Sequence, residues 1–165
     1  NLFLEIAKES DINNAFIYGS NSHESISLLP KEDKFSAIKQ HNKIKFMGNL
    51  TDPLLNLDSS KPILIVPSFY GEGISRTILE AMCLGIPVIC SKNAAVETFT
   101  QKLVYIPEKN EISHYIDCIN KLNSDYENNF LNKKLVFAKE WCVKNFKEEK
   151  IVNETKKVYK DLKVI

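Results

Sequence analysis

Residues 62–90 read P-I-L-I-V-P-S-F-Y-G-E-G-I-S-R-T-I-L-E-A-M-C-L-G-I-P-V-I-C, and their order decides the fold. Residues 62–67 are a continuous apolar run of strand length, the pattern of a strand buried on both faces. A loop holding Gly71 and Gly73 follows, then a helix over about residues 75–84 that Gly85 ends. Residues 87–90 make a second buried strand. Strand, glycine loop, helix, strand is one unit of a parallel sheet, because parallel neighbours need a crossover and the helix supplies it.

The alternation continues in both directions. Leu2, Phe3, Ile6 and Ala7 recur at helical spacing, so the chain opens inside a helix. Residues 15–18 before Gly19, and 43–47 before Gly48, read as strands, with a helix over 31–40 between them. Thr51-Asp52-Pro53 offers a cap and a first-turn proline for a short helix over 53–57. Beyond the quoted stretch a short helix is expected over 94–100 and a strand over 103–106, closed by Pro107. Ile112, Tyr115, Ile116, Ile119 and Leu122 mark an amphipathic helix. Further helices are expected over roughly 125–139 and 147–163, the last with Ile151, Val152, Thr155, Val158, Tyr159 and Leu162 on one face. The expected fold is a single α/β domain over 1–165: a Rossmann-like, doubly wound, mostly parallel sheet with helices on both faces.

Composition narrows the function. A net charge of +1, with Lys and Glu mixed, gives no basic stripe for nucleic acid. Cys83, Cys90, Cys118 and Cys142 form no C-x-x-C pair, and His23, His41 and His114 are equally scattered, so no metal site is expected. Free thiols in a reducing cytosol are the expectation, with Cys83 and Cys90 behaving as buried apolar groups. No apolar run approaches a membrane span and no signal-peptide pattern is present in the sequence, so a cytoplasmic setting is expected.

The chemistry gathers in residues 67–98, which begin where this fold places its ligand crevice, beyond the carboxyl end of a strand. Gly71 and Gly73 flank Glu72, so the backbone there can turn tightly and approach a ligand. The helix that follows presents its first-turn N–H groups and the positive end of its dipole, a site suited to a diphosphate. Glu72 and Glu80, with seven residues between them, offer carboxylates able to grip vicinal sugar hydroxyls. A carboxylate at each end of a phosphate-binding turn matches the shape of a nucleotide sugar.

On this E-x7-E pair, set in P-S-F-Y-G-E-G-I-S-R-T-I-L-E-A-M-C-L-G-I-P-V-I, the sequence resembles glycosyltransferase family 4, a branch of the GT-B retaining glycosyltransferases. With Arg76 it looks like the subset that builds bacterial capsules, lipopolysaccharide and other surface glycans. The resemblance implies the C-terminal, donor-binding lobe of such an enzyme. By position, Glu80 would hold the donor's ribose hydroxyls, and Glu72 would contact the donor sugar and stabilise charge on it, a catalytic role. Gly73, Ile74 and Ser75, with Arg76 and Thr77, would face the sugar and diphosphate. Gly19, Gly48, Asn49 and Leu50 would line the cleft against the base. The implied donor is a UDP- or GDP-sugar, and no metal or other cofactor is implied. The implied partners include an N-terminal acceptor-binding domain, and peripheral membrane association through the parent chain is compatible with them.

The sequence departs from the family pattern in three places. Ser75 stands where many members have glycine or proline, and the stretch after Glu97 lacks an asparagine-glycine turn. The strand and the loop carrying an arginine and a lysine for the diphosphate would precede residue 1. The chain is therefore expected to be an N-terminally truncated lobe, missing its first strand, with little or no activity alone.

Structural readings stand beside these. Arg76 and Glu80, four apart, suit an ion pair, and Glu80 in an apolar helix is expected to be buried and to need a partner. Glu97 fits a helix-start carboxylate equally well. Phe137, Trp141 and Phe146 read as packing residues. A non-catalytic nucleotide-sugar-binding module and a sugar-nucleotide epimerase remain open as alternatives.

Overall fold

A computed structural model describes residues 2–18, 42–48, 53–57, 61–71, 73–95 and 99–162. The elements run α1 (Leu2–Glu9), β1 (Ala15–Tyr18), β2 (Ile44–Gly48), a 3-10 turn (Pro53–Asn56) and β3 (Leu64–Val66). They continue as α2 (Arg76–Cys83), β4 (Val88–Cys90), α3 (Lys92–Ala95), α4 (Ile112–Glu127), α5 (Phe130–Phe146) and α6 (Glu148–Asp161). The helix expected over 31–40 lies outside the described residues.

All described strand pairs are parallel. β1 lies against β2, Ala15 opposite Ile44, and a shift after Ile17 brings Tyr18 opposite Gly48. β3 lies against β4 with Leu64, Ile65 and Val66 opposite Val88, Ile89 and Cys90. The prolines set the ends of this second pair. Pro62, Pro67 and Pro87 have no N–H to give to a ladder, so each strand is shorter than its apolar run, although the Pro87 carbonyl still accepts from Leu64 N at 3.0 Å.

The strand expected over 103–106 reduces to one bridge, Tyr105 opposite Ile89. Tyr105 N donates to Val88 O, and Cys90 N to Tyr105 O. The N–H groups of Leu103 and Val104 turn back to Thr100 O, and Pro107 has none, so no ladder can extend.

Alternating side chains of β3 and β4 enter two cores, as a strand covered on both faces requires. Leu64, Val66, Val88 and Cys90 face Ile78, Ala81 and Met82 of α2, Ala94 and Ala95 of α3, and Ala138 and Cys142 of α5. Ile63, Ile65 and Ile89 face Ile6 of α1, Tyr115, Ile119 and Leu122 of α4, and Leu131. A smaller cluster seats Leu4 and Ala7 of α1 on Ala15 and Ile44. Helices therefore cover both faces of the β3–β4 pair.

No described strand joins β1 to β3. An apolar gap of about 150 Å³ lies between them, lined by Ala15, Phe16 and Tyr18 on one side and by Ile63, Leu64 and Ile65 on the other. Strand direction is common to both pairs. Asn13, Asn14, Lys61, Pro62 and Pro87, all just before strands, share a larger cavity of about 530 Å³. The carboxyl ends of β1, β3 and β4 thus lie together at the opposite end.

The helix expected over 125–139 is instead divided. α4 continues through Glu127, and α5 begins only at Phe130. Asn129 takes φ 58, the left-handed region that asparagine tolerates better than most residues, and this turns the chain between the helices. Trp141 packs at 6.1 Å from Phe99 and 5.6 Å from Phe146 (ring centroids), as expected of packing residues, whereas Phe137 is exposed. α6 buries none of its residues, and its apolar stripe faces solvent. None of the helices among the described residues is long and apolar enough to cross a membrane.

Candidate functional site

The loop after β3 is built by hydrogen bonds from three separate places. Ser91, at the end of β4, donates from Oγ to Ser68 O at 2.6 Å, and Asn93 Nδ2 donates to Phe69 O at 2.7 Å. Asn110 Nδ2 donates to Ser68 O at 3.5 Å, and its Oδ1 accepts from Tyr115 Oη at 2.6 Å. Tyr115 is fully buried, and that burial pushes its phenol well above the usual range, so it stays a neutral donor. A chain of contacts therefore runs from the core of α4 to the carboxyl end of β3. Within the loop, Tyr70 N donates to Ser68 Oγ at 3.2 Å. Phe69 and Tyr70 project outward, 62% and 70% exposed.

Sequence reasoning missed Ser91 and Asn110. Ser91 also accepts from Ala94 N at 3.1 Å, so it caps α3, which begins at Lys92 and not at the expected residue 94. A serine between a strand and a helix was the available signal. Asn110 carried none, since its role depends on tertiary approach.

After the loop, Gly73 and Ile74 are exposed and Ser75 is the N-cap of α2, with φ −67 and ψ 112. Its side chain makes no capping hydrogen bond, so among the described residues the first turn of α2 has no side-chain acceptor. Arg76 and Thr77 stand exposed in that turn. Neither Gly71 nor Gly73 takes a left-handed φ. What they provide is room: a Cβ at either would meet nothing within 4 Å.

α2 ends in a Schellman turn. Ile86 N donates to Ala81 O and Gly85 N to Met82 O, with Gly85 at φ 72. The helix buries Ile78, Ala81 and Met82 on one side only. Glu80 lies on the other and is exposed, so the expectation that it is buried is corrected. The Arg76–Glu80 ion pair that their spacing allows is not formed; among the described residues the ion pair is Lys150–Glu154, at 3.8 Å. Arg76 and Glu80 instead line an open groove of about 390 Å³ between α2 and α5, together with Leu79, Cys83, Phe146 and Lys147. Lys147, at the junction of α5 and α6, is a cation at this groove that the sequence did not single out.

Gly48 ends β2 opposite Tyr18, at a strand carboxyl end. Glu72, Gly19, Asn49, Leu50 and Glu97 lie outside the described residues. The larger cavity of about 530 Å³, where Lys61 stands 3.9 Å from the centroid of the Tyr126 ring, opens at the strands' amino ends. That is the end opposite the loop and the α2 N-terminus, and doubly wound sheets bind ligands beyond their carboxyl ends. Among the described residues no group of three or more His, Cys, Asp or Glu side chains is placed to hold a metal ion.

The sequence profile of the family described as "Glycosyl transferases group 1" matches residues 3–125. The chain belongs to that family. Solved structures share the fold. A glycosyltransferase from Rickettsia africae superposes with a TM-score of 0.78 at 24% identity, over 97% of this chain and 43% of its own length. Anabaena HepE in complex with UDP and glucose gives 0.76 at 18% identity, over 99% and 44%. Sucrose-phosphate synthase from Thermosynechococcus elongatus gives 0.77 at 17%, over 99% and 42%. The fold is that of the Rossmann-like lobe of GT-B glycosyltransferases, and the chain spans less than half the length of each of these structures. No curated protein sequence matches the chain.

Proposed function

We propose that this group 1 glycosyltransferase chain is the donor lobe of a retaining enzyme that binds a nucleotide diphosphate sugar at the start of α2. The observation that carries this reading is the uncapped first turn of α2, set at the carboxyl end of β3 behind an open glycine loop. The N–H groups of that turn and the Arg76 guanidinium take the diphosphate. Glu80, exposed and without an ion pair among the described residues, accepts the ribose hydroxyls. Glu72 lies against the donor sugar, and Gly19, Gly48, Asn49 and Leu50 against the base. UDP is favoured over GDP because HepE was crystallised with UDP and with UDP-glucose.

In the proposed reaction the glycosidic C–O bond to the diphosphate breaks as negative charge grows on the leaving group. The fixed α2 amides stabilise that charge without reorganising. Cationic character at the sugar is met by the Glu72 carboxylate. The acceptor hydroxyl, bound by a second lobe, adds on the face the diphosphate leaves, with net retention. No metal enters this scheme.

The apolar gap between β1 and β3 supports a further strand of the longer protein lying between them, completing one sheet. A hexosyl donor, a surface-glycan or lipid-linked acceptor in a bacterium, and a cytoplasmic setting at the inner membrane face belong to the same proposal. The test is product analysis with the full-length protein, UDP-glucose and a glycan acceptor, reading the anomeric configuration by NMR. A product that keeps the donor's configuration supports the reading. An inverted product or an epimerised nucleotide sugar overturns it.

A further inference from the structure

Cys83 ends α2 and Cys142 sits in the last turns of α5, fifty-nine positions later, and their sulfurs stand 3.1 Å apart. A disulfide needs about 2.05 Å between sulfurs, so closure asks for an approach of about 1 Å between two helices already packed together. Cys142 Sγ is further aligned by Leu79 O at 3.7 Å. Both sulfurs border the open groove that holds Arg76 and Glu80, so a small oxidant has a route to them. Zinc needs about four ligands, and no third His, Cys, Asp or Glu joins the pair among the described residues. We propose that Cys83 and Cys142 are an oxidisable pair whose disulfide clamps α2 to α5.

The exposures assign the two sulfurs different parts. Cys83 is half-buried and borders the groove, whereas Cys142 is 2% exposed. Burial, with the Cys83 thiol second, pushes the Cys142 thiol up, which keeps it protonated and unreactive until Cys83 has reacted. The Cys83 thiolate, its proton lost to solvent, attacks one sulfur of a small-molecule disulfide and releases one thiol. Cys142 then gives up its proton and displaces the second thiol from the Cys83 mixed disulfide. One S–S bond is broken and one is made, and the two electrons end on the small-molecule thiols. The clamp fixes the carboxyl end of α2, one turn from Glu80, and it does not depend on what that helix binds.

The experiment treats the full-length protein with mixtures of reduced and oxidised glutathione near about pH 8, close to the range where thiols ionise. Remaining thiols are alkylated before tryptic mapping. The expected result is peptide 77–92 linked to peptide 140–144 through Cys83 and Cys142, with Cys90 alkylated after denaturation. The link disappears with reductant, and the oxidised protein shows a higher Tm than the reduced. In Cys142→Ser the reaction stops at glutathione on Cys83. The proposal is overturned if both sulfurs are alkylated at every glutathione ratio, if the link runs through Cys90 or Cys118, or if a linked protein shows no rise in Tm. Should the variant not fold, the wild-type map alone decides.

Discussion

Ser91 Oγ donates to the carbonyl oxygen of Ser68 at 2.6 Å while accepting from Ala94 N, so one buried hydroxyl joins the end of β4, the start of α3 and the loop that leads to α2. The loop is therefore a supported platform whose position is set from the core.

Ser91→Ala removes both contacts at a residue 1% exposed. The expected cost is about 1–2 kcal/mol, from a lost helix cap and a loop carbonyl left with only the longer Asn110 contact. Urea unfolding measures it, with the exposed Asn93→Ala as comparison at less than about 1 kcal/mol. Equal costs for the two variants would mean that Ser91 does not hold the platform.

Gly85 and Gly73 separate strain from space. A Cβ at either position meets nothing within 4 Å, but only Gly85 has a left-handed φ, 72°. Gly85→Ala should lose about 1–2 kcal/mol of stability through strain alone. Gly73→Ala should stay within about 0.5 kcal/mol of wild type in unfolding while weakening nucleotide binding, because its methyl occupies space meant for the ligand. A Gly73→Ala variant with unchanged binding would place the diphosphate elsewhere.

Lys134 ties α5 to the segment carrying Tyr105. It donates to the carbonyls of Gln101 and Val104 and sits 4.1 Å from the centroid of the Tyr105 ring, while Tyr105 Oη donates to Asp125. Burial first, then the charge of Lys121, lowers its pKa from 10.5 to about 8, against the opposing pull of Asp125 and Cys118. With the folded value depressed, the unfolded chain binds more protons between about pH 8 and 10.5, so this residue's contribution to stability rises with pH across that window. Below it the cost of holding the ammonium is fully present. The stability of wild type relative to Lys134→Met should accordingly increase from about pH 7 to pH 10 in urea titrations. A decrease would show that the carbonyls keep the lysine charged.

Strands β1 to β4 and the ends of α2 were legible because short-range chemistry decides them. Apolar runs bounded by prolines gave β3 and β4, and Gly85 after an apolar helix gave the Schellman turn. Three features were not legible. The break at Asn128-Asn129 has the same two residues as the break read at Asn13-Asn14, but it interrupts a run whose apolar spacing continues on both sides. Glu80 looked buried because I-L-E-A-M-C-L is apolar in composition, yet α2 covers only one face and its neighbours leave the other open. The contacts of Ser91 and Asn110 with the loop arise only when β4 and the start of α4 come together, which no local pattern records. The family pattern located the start of α2, while the support beneath it required the structure.

The most direct test of the donor-site reading is calorimetric titration of the full-length protein with UDP and with GDP, for wild type and for Glu80→Ala. Glu80 is exposed and has no ion pair among the described residues, so the substitution should change unfolding by less than about 0.5 kcal/mol. The predicted result is UDP binding weakened by about 1–3 kcal/mol, roughly 5- to 150-fold, the loss of a charged hydrogen-bond acceptor. UDP binding of equal strength in both proteins would contradict the assignment of Glu80 to the ribose and, with it, the placement of the nucleotide on α2.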